Sequence, residues 1–293
     1  NITEIYKMKG TEKSFRNLVR CFGVGEDVVR LNMYGQGQTF TLDDNVRYTA
    51  AKTNCIDFNS PLRSESSIYQ TTGSNGKTYI DGMSVVDNTN PAAATTLEVD
   101  VVLPYRPLAT DRFASATNFT GSSIAGISSA ENDSDDYSVK NSNADLKLYV
   151  TRDTEASTDA YFTLTAFNDT VRLVTPSFHN AYTGKKWTLA ASIRPSSYPY
   201  GDRVSGSISS FEVSFRGSNY ISDELADTFS LKATVDEDYG YNFNKSNKRV
   251  FAGARRDNFT GSAATNSDVI LSSVKYWQGY ITDSEHVAHA RDS

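Results

Sequence analysis

From about Ile56 to the C-terminus, apolar and polar residues alternate in short runs of β-forming residues separated by clusters of Gly, Asn, Asp and Ser. The clearest runs are "TLEVDVVLP", "SSIAGIS", "LKLYVTR", "YFTLTAF", "VRLVTPS", "KWTLAASIRP", "GSISSFEVSFRG", "FSLKATV", "RVFAGARR" and "DVILSSVKYW". A period of two sends successive side chains to opposite faces of a strand, so each run has one face to bury. Strands with turn signals between them, and almost no helical pattern to supply crossovers, predict a mainly β, antiparallel two-sheet jelly-roll sandwich and exclude a parallel sheet.

Before Ile56 the period changes. In "GTEKSFRNLVRCFGVGED", Phe15, Leu18, Val19 and Phe22 fall at i, i+3, i+4 and i+7, Thr11 stands where a helix cap is needed, and Gly23 stands where one can end. Next, "DVVRLNMY" and "TFTLDDNVRYTAA" flank "GQGQ", which is a hairpin signal. The expected organisation is therefore an N-terminal helix-plus-hairpin module over residues 1–55 and a jelly-roll domain over 56–293. A short helix and a lone hairpin are each marginal in water, so the stripe of Phe15, Leu18, Val19 and Phe22 needs a partner surface and is a candidate assembly contact.

Composition narrows the function classes. With 17 Tyr, 15 Phe and 38% hydrophobic residues against 22% charged, the chain has the makings of a core and is not a disordered segment. A net charge of −6 with no Lys/Arg cluster longer than Lys185-Lys186 or Arg255-Arg256 argues against nucleic acid as a partner. No apolar run reaches the length of a membrane span, so no membrane insertion is expected. The first residue is Asn, as in a processed product or a piece of a longer polypeptide. Cys21 and Cys55 lack metal-ligand spacing and read as free thiols in or near the core.

Chemistry-bearing motifs are sparse. There is no nucleophile elbow, no phosphate loop and no cofactor signature. The segments "SSYPYGD" and "DEDYGYNFNKSN" combine aromatic with acidic and amide side chains. As loops they would bind a glycan through Tyr198, Tyr200, Asp236, Asp238, Tyr239 and Tyr241, although the same residues are ordinary in rim loops. A calcium site at Asp236 or Asp238 lacks a ligand loop of suitable spacing. In the C-terminal "SSVKYWQGYITDSEHVAHARDS", Thr282 and Glu285 form a capping box for a short helix, with Tyr276 or Trp277 buried beside it. His286 and His289 share a helical face there, but no third ligand is near and His179 is remote, so they read as packing or solvated residues rather than a metal site.

The order of these elements resembles concanavalin A-like, laminin G-like jelly rolls, in which an aromatic strand such as "KYWQGY" leads into a Ser/Thr-Asp-x-Glu turn such as "TDSE", with "TLEVDVVLP" and "KWTLAASIRP" similar to the paired core strands. The segment "KMKGTEKSFRNLVRCFGV" resembles a Lys-Gly-Thr-x-x-x-Phe/Ile-x-x-Leu-x-x-x-Phe/Tyr-Gly pattern of tail and baseplate proteins of tailed bacteriophages. Together these resemblances imply a non-enzymatic virion structural protein on an extracellular particle. Its implied partners are other virion proteins or further copies of itself, and the alternative is a lectin-like module for host-surface carbohydrate. Similar folds host glucanases with a catalytic Glu-x-Asp-x-x-Glu or Glu-x-Asp-x-Glu strand, since a retaining mechanism needs two carboxyls about 5 Å apart. "LEVDVVLP" begins that pattern with Glu98 and Asp100 but has Val102 and Leu103 where the acid/base would stand. Glu98 and Asp100 are accordingly expected to be solvent-facing, with no catalytic residue among them.

Overall fold

The computed structural model describes residues 2–24, 54–70, 79–85, 90–105, 120–129, 144–197, 208–221, 224–256 and 262–292. The expected hairpin around "GQGQ" lies outside them, as do Tyr198 and Tyr200. The chain divides into two compact units, Asn1–Lys52 and Thr53–Ser293.

In the first unit, α1 (Ile2–Lys7) precedes α2 (Glu12–Cys21). Helix α2 is the one the apolar spacing predicts, and Gly23 beyond its end takes φ +78°, where a side chain would be strained. Thr11 occupies the N-cap position, but its hydroxyl donates to the Met8 carbonyl at 2.7 Å instead of capping α2. That bond ties α2 back to the turn after α1, a helix that the sequence pattern did not reveal.

The second unit is a two-sheet antiparallel jelly-roll sandwich. One six-stranded sheet runs in the order β1 (Ile56–Asp57), β14 (Ile270–Trp277), β3 (Thr95–Val102), β8 (Lys186–Pro195), β9 (Ser210–Ile221) and β10 (Glu224–Asp236). The other runs β2 (Ser67–Tyr69), β11 (Lys248–Gly253), β4 (Gly121–Ser129), β5 (Leu146–Arg152), β6 (Ala160–Ala166) and β7 (Val171–Val174). Strands β12 (Arg255–Arg256) and β13 (Ala263–Thr265) make a small separate pair. Every predicted run contributes a strand.

Between the sheets the inward half of each alternation is buried: Leu97, Val99 and Val101 from β3 meet Leu146, Leu148 and Val150 from β5 in one continuous core. Aromatic rings fill its wider part, with Trp187 centred 4.9 Å from Phe162 and 4.8 Å from Phe178. A buried ion pair, Arg152 with Asp268, is completed by Ser122 and Tyr182, both donating to Asp268 Oδ1 at 2.6 and 3.0 Å. These groups tie β4 and β5 to the segment entering β14, and their hydrogen bonds offset part of the cost of burying charge.

Two helices flank the sandwich, α3 (Glu237–Lys245) and α4 (Asp283–Asp292). Helix α3 corrects the sequence expectation, since "DEDYGYNFNKSN" is not a rim loop. The physical reason is packing: Phe243 and Asn244 are buried, and Asn244 Nδ2 donates to the carbonyls of Pro91 and Ala93 at 3.0 and 3.2 Å. The cysteines also depart from expectation. Both are free, but both are exposed, Cys21 at the end of α2 and Cys55 just ahead of the edge strand β1.

Candidate functional site

The face of the first sheet that points away from the core is polar, and its centre is charged. Alternation on β3 puts Leu97, Val99 and Val101 inward and Glu98 and Asp100 outward, as the sequence predicts. The register sets Lys275 of β14 opposite Glu98, and Ser273 and Thr188 on either side of Asp100. Lys275 Nζ reaches Glu98 Oε1 at 2.9 Å and Asp100 Oδ2 at 3.4 Å, while Thr188 and Ser273 donate to the two oxygens of Asp100.

These carboxylates are not solvent-facing, which corrects the sequence expectation: Glu98 is 0% and Asp100 3% exposed. Alternation assigns a residue to a face but does not say what lies over that face. Helix α4 packs against β8 and β9, and His289 Nδ1 donates to Glu98 Oε2 at 2.7 Å. Glu98 thus has one oxygen on Lys275 and the other on His289.

The start of α4 follows from its sequence. Glu285 accepts the Thr282 N–H at 2.8 Å, and the Thr282 hydroxyl accepts the Glu285 N–H at 3.3 Å, so the capping box forms as read. Asp283 in the first turn accepts from buried Arg216 at 2.8 Å, and Arg216 also donates to Ser192 at 3.0 Å. His286 is buried on the sheet-facing side of α4, with neither ring nitrogen hydrogen-bonded. Burial, then the positive charge of Arg216, hold its imidazole down at about 4. The two α4 histidines therefore have separate jobs, one packed neutral and one bonded to Glu98. Among the described residues no three His, Cys, Asp or Glu side chains are grouped to hold a metal ion.

The electrostatics of Asp100 run against general acid catalysis. Burial works to raise the Asp100 carboxyl, but the hydrogen bonds from Ser273 and Thr188 and the charge of Lys275 outweigh it and hold the group below its ordinary value. Burial likewise opposes the Lys275 ammonium, yet Glu98 and Asp100 raise it above its ordinary value. A catalytic acid must keep a proton at working pH. Asp100 is tuned the other way, as an ionised partner of Lys275.

The remaining candidates fall in separate places. Asp236 is exposed at the N-cap of α3 and Asp238 is exposed in its first turn. Tyr239 packs on Phe167 with ring centres 5.4 Å apart, and Tyr241 meets Phe211 edge-on at 5.5 Å while its hydroxyl donates to the Ile208 carbonyl. Both rings are partly buried against the core and do not form an open platform. In the first unit Phe15, Leu18 and Phe22 are 54%, 44% and 79% exposed, with Val19 half-buried.

One surface feature escaped sequence reasoning. Where β14 gives way to α4, a depression of about 260 Å³ is lined by Trp277, Gln278, Gly279, Tyr280, Glu285 and His289. The signal was the aromatic run "KYWQGY", but with Tyr276 or Trp277 expected to be buried it pointed to packing, and it is Tyr276 that packs against the core. Trp277 instead remains 40% exposed and stacks on His289 with ring centres 5.7 Å apart.

No protein-family model and no curated protein matches the chain. Among solved structures, similarity extends to an alginate lyase from Pseudomonas aeruginosa at 12% identity and TM-score 0.37, over 73% of this chain and 74% of that one. The enzymatically active domain of bacteriophage CBA120 tailspike protein 2 is similar at 11% identity and TM-score 0.37, over 78% of this chain and 30% of the tailspike chain. The Ruminococcus gnavus IT-sialidase CBM40, bound to α2,3-sialyllactose, is similar at 12% identity and TM-score 0.31, over 73% of this chain and 96% of that one. At such low identity and TM-score neither ligand nor chemistry carries over from them.

Proposed function

We propose that this chain is a non-enzymatic structural protein of a tailed-phage virion, located on the extracellular particle, which assembles through its N-terminal helices and displays the jelly roll. The observation that carries the reading is the apolar face of α2: among the described residues Phe15, Leu18 and Phe22 are exposed on a helix too short to be stable alone. Large exposed apolar residues on one helix face mark a contact surface. Burying such side chains contributes roughly 1.5–3 kcal/mol each, so a few together hold a neighbour. The resemblance of residues 7–24 to phage tail and baseplate segments supplies the virion context, and the partner is a neighbouring virion protein or a further copy of the chain.

The non-enzymatic half of the reading is supported by the Glu98–Asp100–Lys275–His289 cluster, whose bonds to one another and to the hydroxyls of Ser273 and Thr188 occupy its carboxylates, with Asp100 held below its ordinary value instead of being poised as a catalytic acid. The inward packing of Tyr239 and Tyr241 favours assembly over glycan display at those tyrosines. A Leu18→Asp, Phe22→Asp double variant tests the proposal. It should keep the β signature and cooperative melting of the jelly roll while losing self-association in sedimentation or incorporation into reconstituted particles. Assembly equal to that of the unmodified chain would reduce the helices to an internal appendage and overturn the reading.

A further inference from the structure

The depression at the junction of β14 and α4 has a chemistry that the assembly role does not use. One wall carries the indole of Trp277, 40% exposed although it stacks on His289. Around it stand hydrogen-bonding groups of different kinds: the Gln278 amide, the Glu285 carboxylate and the His289 imidazole. Glu285 uses Oε2 for both bonds to Thr282, which leaves Oε1 for an outside donor. His289 commits Nδ1 to Glu98, so Nε2 is the nitrogen remaining for a ligand.

A ligand that matches needs an apolar patch to lie on indole and several hydroxyls at its edge, which describes the ring of a pyranose. Charge selects among sugars. Among the described residues neither Lys nor Arg lines the depression, whereas Glu285 does, with its carboxyl held below the ordinary value by the Thr282 backbone and hydroxyl bonds. The nearby guanidinium groups of Arg194 and Arg216 lie 4.0 and 4.8 Å from the Tyr280 ring centre and are bonded to Glu212, and to Asp283 and Ser192. A carboxylated or sialylated sugar would meet the like charge of Glu285, while the cations nearest among the described residues, Arg194 and Arg216, are already paired with acidic side chains. We infer that this depression binds a neutral hexose unit of a glycan, with Trp277 as the stacking platform and Gln278, Glu285 and His289 as hydroxyl partners. The inference is independent of the role of α2, since it concerns residues of the other unit alone.

Gly279 provides a clean test. A Cβ built on it meets nothing within 4 Å, and its backbone is outside the left-handed region, so a side chain there projects into open space. The chain has 2 Trp, of which Trp187 is fully buried, so a ligand-dependent change in indole emission reports on Trp277. Titration with neutral trisaccharides of glucose, galactose and mannose should shift that emission for at least one of them, and trigalacturonic acid should not. Gly279→Leu should weaken the same binding at least about tenfold while the near-ultraviolet spectrum of the core is kept, and Trp277→Ala should do likewise by ligand-observed NMR. The inference is overturned if none of the three neutral sugars binds, if the acidic trisaccharide binds as well as they do, or if Gly279→Leu binds like the unmodified protein.

Discussion

Helices α3 and α4 flank the same sandwich, yet one is announced by its sequence and the other is not. Helix α4 carries its own start signal, a reciprocal bond between Thr282 and Glu285. Helix α3 has no side-chain cap bond from Asp236, and its sequence EDYGYNFNK contains Gly, Asn and aromatic residues that have poor intrinsic helix propensity. What holds α3 is the core: Phe243 is fully buried, and the Phe211 ring lies against Gly240. Local chemistry specifies one helix and tertiary packing imposes the other, so the two should fail differently under mutation.

The largest effect is expected at Gly240. An added Cβ would sit 2.2 Å from Cγ of Phe211, a fully buried ring with no room to retreat. Gly→Ala inside an exposed helix stabilises by about 1 kcal/mol. Here the clash reverses the sign, and Gly240→Val should destabilise the domain by roughly 3–4 kcal/mol, at the upper end of overpacking effects. Denaturant unfolding would read this directly. A neutral outcome would mean that α3 is held by its own propensity after all.

The same division explains what was legible. The strands were legible because period-two alternation is a local signal that the core then uses, as at Leu97, Val99 and Val101, although a bulge in β4 buries the consecutive Ile124 and Ala125. The environment of Glu98 and Asp100 was not, because α4 and β14 bring His289 and Lys275 to Glu98 from 191 and 177 residues further along the chain. Nor was the inward packing of Tyr239 and Tyr241 visible, since a helix turned by Phe211 and Phe167 has no signature in its own residues. Trp277 was legible as aromatic but not as exposed, because its neighbour His289 belongs to the following helix.

A second, smaller effect separates the helices by pH. His286 is buried neutral against the sheet, facing Arg216, Asp283 and Glu98, with His289 on its own helix. Its folded value near 4 lies below its ordinary 6.5, so between these values the unfolded chain binds more protons than the folded one. The stability that neutral His286 supplies is complete above pH 6.5 and is lost as pH falls towards 4, by up to about 3 kcal/mol. Hydrogen exchange should therefore show α4 opening between pH 6.5 and 4 ahead of α3. A His286→Leu variant removes a buried ring whose nitrogens lack partners and should flatten that dependence. If α4 protection were flat with pH in the unmodified chain, His286 would not be what couples the helix to protons.

The smallest effect compares the two helix starts. Thr282→Ala deletes the hydroxyl that accepts the Glu285 N–H and donates to its carboxylate at 2.8 Å, leaving an orphan donor in the first turn. Loss of such a cap typically costs about 1 kcal/mol, which should appear as faster amide exchange along α4 with little change in the global melting of the sandwich. Asp236→Ala makes the equivalent change at α3, but Asp236 is exposed and makes no cap bond there, so only a screened attraction to the helix dipole is lost. That substitution should move stability by less than about 0.5 kcal/mol. Equal losses at the two positions would show that α3 and α4 depend alike on local capping, and the distinction between a helix specified by its own sequence and one imposed by the core would fall.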